Sequence, residues 1–317
     1  MIGIKLSGGL GNNMFEYASA RSLAEVKNVK FCYFSQKDIK FYIKKTKKYL
    51  LYFLYGRKDI FIKQLSRNDL SDYFKLDKKP IQNFINQFFW HLKKSKFLYS
   101  YNFNRTDLTK EIAKKEFFQC PDWTELKGCF ASEIYFTDRE KILNWFTPRN
   151  RYKKKIDLIE SKFKVPPEQR CCIHIRRGDA LYMDKGYALN KYGWSLPEEY
   201  FEYILKKLDK NLLFIFVSDD PDWAASKFQF LRNKIFLRRN SEIVDLFIFS
   251  KCKYNILSRS TFSWWGAWLN QIPNKEIYAP KYFLGIPLER CIPFAMDLGE
   301  EVQKWNFIDI KQTNWYK

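Results

Sequence analysis

Hydrophobic and polar positions follow one pattern in the first half of this chain and another in the second. Residues 2 to 6 form a short apolar run that reads as a buried strand, and Ser7-Gly8-Gly9-Leu10-Gly11-Asn12-Asn13 ends it as a glycine-rich loop. Beyond the loop, Phe15, Ala18, Ala20, Leu23 and Ala24 recur near the helical period and predict a helix over residues 14–27. A second strand is predicted over residues 29–34. Basic and bulky apolar residues then mix at roughly helical spacing, as in Phe41-Tyr42-Ile43-Lys44-Lys45 and Phe88-Phe89-Trp90-His91-Leu92-Lys93-Lys94. Gly128-Cys129-Phe130-Ala131-Ser132-Glu133-Ile134-Tyr135-Phe136 has a strand-like alternation with Ser132 and Glu133 at its centre.

A lysine-rich helical segment over residues 152–164, followed by Val165-Pro166-Pro167, marks a domain boundary. It separates an N-terminal domain, residues 1–150 with a basic aromatic insertion at 37–115, from a C-terminal domain, residues 151–317. In the second domain the pattern becomes regular. Strands are predicted at 171–175, 212–217, 235–237 and 254–257, and helices at 197–208, 223–230, 242–250 and 264–270. Strands alternating with helices of this length imply βαβ units and a parallel sheet, an α/β fold.

Composition narrows the class. Hydrophobic residues are 46% and aromatics 19% of 317 residues, enough apolar surface to offset the entropy of ordering the chain. The formal net charge of +21 implies attraction to polyanions such as nucleic acid, an anionic membrane or a phosphorylated substrate, without choosing among them. The basic aromatic region reads either as a peripheral contact with anionic lipid or as amphipathic helices whose lysines are simply solvated. Seven cysteines, an odd count with Cys171 and Cys172 adjacent in a predicted core strand, fit buried reduced thiols in a cytosolic protein better than a disulfide framework. The N-terminus turns polar too soon for a signal peptide, and no apolar run approaches the roughly 20 residues of a membrane span.

In an open parallel sheet, ligands bind outside the carboxyl ends of the strands. Those ends carry Arg176, Arg177 and Asp179; then Ser218, Asp219 and Asp220; then Ser258-Arg259-Ser260-Thr261-Phe262-Ser263. Arginines, hydroxyls and a helix N-terminus suit a diphosphate, while carboxylates suit a base or ribose. Asp220-Pro221-Asp222 resembles a divalent-metal pair, but a proline starting a helix after Asp220 explains it structurally, and fixed guanidinium charge makes a metal dispensable. Trp264, Trp265 and Trp268 read as core residues of a helix before they read as a sugar-stacking platform.

The stretches Gly8 to Phe15, His174-Ile175-Arg176-Arg177-Gly178-Asp179, Val217-Ser218-Asp219-Asp220 and Ser260 to Trp268 resemble, in order, the motifs of the α-1,2-fucosyltransferases of glycosyltransferase family 11. Ala279-Pro280-Lys281 also fits, whereas residues 37–115 carry none of the resemblance. Asn13 and Glu16 stand where glutamines are usual, and Ala131 replaces another glutamine, a change that bears on acceptor preference. The resemblance implies two Rossmann-like domains facing a cleft, the GT-B architecture. It also implies inverting, metal-independent transfer from GDP-fucose, with no further cofactor, to the 2-OH of a terminal galactose. The acceptor would be an oligosaccharide of cell-surface or O-antigen type, free or lipid-linked, met in the cytoplasm or at the inner face of the membrane.

On this chain the resemblance places Arg177 on the β-phosphate, with Ser260, Thr261 and Phe262 beside it. It places His174 and Asp245 on the guanosine, with Asp219 also on the donor side, and Gly11, Asn12, Asn13 and Glu133 near the fucose and acceptor. The base that takes the acceptor proton is Asp179, Asp184 or Glu133, and Asp179 serves equally as a partner locking an arginine. Three other readings remain: a fucosyltransferase of another linkage, a non-catalytic nucleotide-sugar or glycan-binding protein, and a nucleic-acid-binding protein. The last lacks any recognisable RNA-binding signature, so no nucleic acid is expected as a partner.

Overall fold

The computed structural model describes residues 1–35, 70–76, 86, 87, 90, 99–102, 110–178, 180, 181, 195–283, 286, 287 and 300–309. Within these the chain divides into two compact units, Met1–Arg149 and Asn150–Lys317.

The first unit is built on a four-stranded parallel sheet. Its strands are β1 (Ile2–Lys5), β2 (Phe31–Phe34), β3 (Tyr99–Asn102) and β4 (Thr124–Lys127), in the order β2-β1-β4-β3. The helix α1 (Leu10–Val26) returns the chain from β1 to β2 and packs on both. It starts four residues before the predicted Met14, with Gly9 as its cap and the amide of Asn13 donating to the Gly9 carbonyl at 3.0 Å. Unlike a surface helix, α1 is buried on most of its circumference, including Asn13, Glu16 and Arg21. Burial of Arg21 is tolerated because its guanidinium lies 4.0 Å above the Trp145 ring and donates to Tyr17 and Glu25.

Residue 90 belongs to the predicted basic aromatic insertion, yet Trp90 is core. Its ring lies so close over Gly3 that a Cβ there would meet it at 2.9 Å, and it stacks on Trp123 with centroids 6.0 Å apart. Nearby, the side chains of Asn86 and Gln87 donate to the carbonyls of Phe31 and Tyr33, each at 2.7 Å. Since β2 is the edge strand, they satisfy backbone acceptors that would otherwise face outward. Within 37–98, residues 37–69, 77–85, 88, 89 and 91–98, His91 among them, lie outside the described residues.

The strand-like reading of 128–136 does not hold. Gly128 and Phe130 both have positive φ (134° and 49°), which ends the extended conformation after β4, and a 3-10 turn, Glu133–Tyr135, follows with Ser132 as its cap. The alternation arose because Phe130, Ile134, Tyr135 and Phe136 all turn inward around the turn.

The units divide between Arg149 and Asn150, within a residue of the 150/151 division and just ahead of the lysine-rich helix. That helix, α2 (Asn150–Glu160), is part of the second unit: Tyr152 and Ile156 are buried, and Glu160 accepts from Arg170 at 2.8 Å and pairs with Lys251. The six strands of the second unit are β5 (Arg170–Ile175), β6 (Leu213–Ser218), β7 (Lys234–Phe236), β8 (Tyr254–Ile256), β9 (Glu276–Pro280) and β12 (Asn306–Ile308), with β10 (Tyr282–Phe283) and β11 (Ile286–Pro287) forming a separate antiparallel pair. Their order is β12-β9-β8-β5-β6-β7, parallel throughout. The connecting helices include α3 (Glu198–Leu205), α4 (Pro221–Lys227), α5 (Glu242–Phe249) and α6 (Thr261–Trp268).

All six residues of β5 are buried, the expected state of a central strand covered on both faces. On one face Tyr200, Phe201, Phe216 and Phe228 pack against it; on the other, α5 lies beside α6. Trp264, Trp265 and Trp268 are all buried in α6, the core role expected for them. Asn255 and Asn270 form a buried amide pair at 2.7 Å that also caps the carbonyls of Phe249 and Cys252. The α5–α6 approach is close enough that a Cβ on Gly266 would meet the Phe249 ring at 2.5 Å. Gly266→Ala is therefore expected to destabilise the protein by about 1–3 kcal/mol, measured by urea unfolding. A neutral effect would show that the two helices are not held at this spacing.

Candidate functional site

The strand order of the second unit reverses at β5. From β5 the chain winds through β6 to β7, then returns to the other flank of β5 as β8 and continues to β9. The carboxyl ends of β5 and β8 therefore define the topological switch point, the place where a crevice forms in such a sheet. His174 is the fifth residue of β5, Arg176 and Arg177 follow it, and Ser258 to Ser260 follow β8 and lead into α6.

Arg177 is anchored at three points. Its backbone amide donates to Asp219 Oδ1 at 2.8 Å, its Nε donates to Asp220 Oδ2 at 3.2 Å, and its guanidinium carbon lies 3.8 Å from the Trp223 ring centroid. Its terminal nitrogens make no hydrogen bond to any described residue. A planar cation is thus oriented through Nε and one face, while the fork that pairs with phosphate is left for a ligand. Asp219, expected on the donor side, braces this loop through the Arg177 amide. Its Oδ2 would lie 2.7 Å from a Cβ on Gly178, so only glycine fits beside it without displacing the carboxylate.

Asp220 serves twice. Its Oδ2 meets Arg177, and its Oδ1 accepts the Trp223 amide at 3.2 Å as the cap of α4. Asp222 pairs with Arg238 at 2.5 Å. The Asp220-Pro221-Asp222 carboxylates thus both have protein partners, and no group of three His, Cys, Asp or Glu side chains converges among the described residues.

His174 is buried, with Nδ1 2.5 Å from Ser258 Oγ and its ring 5.0 Å from that of Phe262. Nε2 has no partner among the described residues. Burial, with Arg176 nearby, drives the imidazole pKa down to about 3, so the ring is neutral at ordinary pH. Asp245, in the first turn of α5, accepts from the Asn240 side chain at 2.9 Å. Burial raises its carboxyl to about 6, an effect that this hydrogen bond only partly offsets. At the other flank, Ser260 Oγ caps α6 by accepting the Phe262 amide at 3.2 Å, and the half-buried Thr261 is the first residue of that helix.

The second unit thus gathers His174, Arg177, Asp219, Asp245, Ser260, Thr261 and Phe262 around the ends of β5, β6 and β8 and the starts of α5 and α6. Gly11, Asn12, Asn13 and Glu133 belong to the first unit, where the 3-10 turn bearing Glu133 packs on α1, with Phe15 and Phe136 5.9 Å apart. Asp179 and Asp184 lie outside the described residues. Sequence reasoning did not find Trp223 or Asn240. Trp223 was legible only as a first-turn aromatic three residues after a capping aspartate, and Asn240 as a polar residue ahead of α5.

A doubly wound parallel sheet with an oriented arginine, a neutral histidine and a helix start at its switch point defines an α/β protein whose strand ends suit an anionic ligand. The chain belongs to glycosyl transferase family 11, whose profile matches residues 1–281. An α-1,2-colitosyltransferase from Escherichia coli is 29% identical over 278 residues, 84% of this chain and 86% of that protein. The O-antigen biosynthesis glycosyltransferase WbnK, also from Escherichia coli, is 35% identical over 159 residues, 47% of this chain and 48% of that protein. Among solved structures, the fucosyltransferase NodZ from Bradyrhizobium superposes with a TM-score of 0.49 at 13% identity, covering 84% of this chain and 92% of that one. No helix among the described residues is long and apolar enough to cross a membrane.

The neutral state of His174 carries a stability consequence. Its folded pKa lies below its unfolded value of 6.5, so the stabilisation is complete above 6.5 and is lost as pH falls toward about 3, while the unfolded chain takes up a proton that the folded one refuses. Urea unfolding of wild type and His174→Gln is expected to show the wild type losing stability relative to the variant as pH is lowered from about 7 to about 5. A pH-independent difference would mean that the folded imidazole protonates normally.

Proposed function

We propose that this glycosyltransferase moves fucose from GDP-fucose, with inversion and without a metal, to the 2-OH of a terminal galactose on an oligosaccharide. The observation that carries the reading is Arg177, anchored by Asp220 and Trp223 at the tip of β5 with its terminal nitrogens turned to no described residue. In this reaction the acceptor oxygen forms a bond to C1 of fucose as the C1–O bond to GDP breaks, and the acceptor proton passes to a carboxylate. Negative charge grows on the β-phosphate as the bond lengthens, so the contact to Arg177 strengthens toward the transition state. That is the condition for catalysis as distinct from binding. The start of α6, with Ser260 and Thr261, supplies further donors to the same phosphate.

His174 Nε2 and Asp245 take the guanosine, the carboxylate accepting from the N–H edge of guanine. Asn12, with Gly11 and Asn13, lies on the sugar and acceptor side. Asp179, one residue beyond Gly178, is the proposed base, with Asp184 and Glu133 as alternatives. The charge of +21 also supports peripheral association with an anionic membrane, where a lipid-linked acceptor would be met at the cytoplasmic face. A second reading is favoured by the relative that matches most of the chain: the transferred sugar is colitose, in the same α-1,2 linkage.

Arg177→Ala is expected to lower turnover at least ~100-fold while leaving the unfolding midpoint close to wild type. Near-normal GDP release would sink the assignment. Thermal shift should show stabilisation by GDP and not by UDP. Supplying GDP-linked fucose and GDP-linked colitose in parallel, with galactosides as acceptors, separates the two readings.

The carboxyl of Asp245 adds a pH signature. Affinity for GDP is expected to fall as pH drops through about 6, where the carboxylate takes up a proton. Asp245→Asn should bind more weakly and lose that part of the pH dependence. Calorimetric titration of both proteins at two pH values reads the difference, and identical pH profiles would remove Asp245 from the guanosine site.

A further inference from the structure

The glycine-rich loop of the first unit is held from below by a group that the reaction itself does not require. Glu16 lies in the second turn of α1, and its side chain folds back beneath the loop that precedes the helix. Oε2 accepts the Ser7 amide at 2.7 Å, and Oε1 lies 2.6 Å from Ser7 Oγ. The residue is 1% exposed. Immediately after Ser7 the chain turns through Gly8 at φ +74°, and the Asn12 amide packs over that glycine, 2.6 Å from where a Cβ would stand. Ser7, Gly8 and Asn12 therefore form one tight unit, whose lower side is fixed by both carboxyl oxygens of Glu16.

We infer that Glu16 is a positioning residue for the Ser7–Asn13 loop, holding Asn12 in place by gripping the amide and the hydroxyl of Ser7 together. Two hydrogen bonds from one rigid carboxyl to one residue fix both the position and the rotation of Ser7, which a single bond would not. The inference rests on the proposed placement of Asn12 beside the transferred sugar and acceptor.

The electrostatics decide which form of the carboxyl does this. Burial raises the pKa of Glu16 well above its ordinary 4.5, and the hydrogen bonds from Ser7 offset this only in part. The titratable group facing it is Cys129, on the segment after β4, itself held protonated by burial. No cation contributes to the site among the described residues. Burial thus favours the protonated acid, with Oε2 accepting from Ser7 N–H and Oε1 meeting the Ser7 hydroxyl. A glutamine amide can meet the Ser7 amide with its oxygen and the Ser7 hydroxyl with its NH2 group, whereas alanine removes both contacts.

Because the folded pKa is raised, the stabilisation is fully present below 4.5 and is lost as pH rises through the folded value. Urea unfolding across that range is expected to show Glu16→Gln gaining stability relative to wild type as pH rises. In steady-state kinetics, Glu16→Ala is expected to raise acceptor KM or lower kcat by about 10- to 100-fold, with GDP affinity unchanged because the nucleotide residues lie in the other unit. Glu16→Gln should stay within about 3-fold of wild type, and Ser7→Ala, which deletes only the hydroxyl, should fall between them.

The inference is overturned if Glu16→Gln is as impaired as Glu16→Ala, if Ser7→Ala is indistinguishable from wild type in both KM and kcat, or if the stability gap to Glu16→Gln does not change with pH. Should the wild type turn over no fucose or colitose donor, the proposed function fails. The pH dependence of stability then decides by itself whether the neutral carboxyl holds the loop.

Discussion

The constraint on which the proposed donor site depends is the burial of β5 on both faces. A parallel strand in the middle of a sheet exposes neither face to water, so its residues are selected for packing up to the point where the sheet ends. Polar groups short of that end need a partner inside the protein, as Arg170 and His174 have. Cys171, Cys172, Ile173 and Ile175 have almost no exposure, and the next two residues are arginines. The abruptness of that change converts a packed core into a directional device. The side chains that emerge have their backbone fixed by the ladders to β6 and β8, and the remaining freedom of Arg177 is removed by Asp219, Asp220 and Trp223.

Burial acts on His174, Asp245 and Glu16 in one consistent direction, toward the neutral form. His174 is driven down and Asp245 up, and in the first unit Glu16 is also driven up. None of these shifts is caused chiefly by a neighbouring charge. These three groups are held toward the neutral form, whereas the buried guanidinium of Arg21 is stabilised by Trp145, Tyr17 and Glu25, and that of Arg177 is held at the strand end by Asp220 and the Trp223 ring.

How much of this was legible in the sequence follows from the same physics. Strands β5 and β6 were readable because double burial makes them largely apolar runs between turn residues, and β8 because Tyr254 and Ile256 flank a single buried Asn255 in a regular alternation of strands and helices. Strands β3, β4 and β12 were not, since Tyr99-Ser100-Tyr101-Asn102, Thr124-Glu125-Leu126-Lys127 and Asn306-Phe307-Ile308 are short and mixed in polarity. Arg177 was legible from its place at a strand end. The support for it was not, because Trp223 lies 46 residues away and reaches it only through the pairing of β5 with β6. Glu16 reads in sequence as one more polar position on a helix. Only the all-round burial of α1 shows that it points inward.

Holding a guanidinium by its Nε and one face has a cost as well as a benefit. The rotamer entropy of a long side chain, about 0.5–1.5 kcal/mol on being immobilised, is surrendered when the protein folds and not when the ligand arrives. On the proposed reaction, that favours capture of the donor and stabilisation of the departing diphosphate. The same arginine cannot relax once the sugar has left, because its anchors are parts of the fold. The grip that helps GDP leave the sugar therefore slows GDP in leaving the protein, which shifts the slow step of turnover from bond breaking toward product departure.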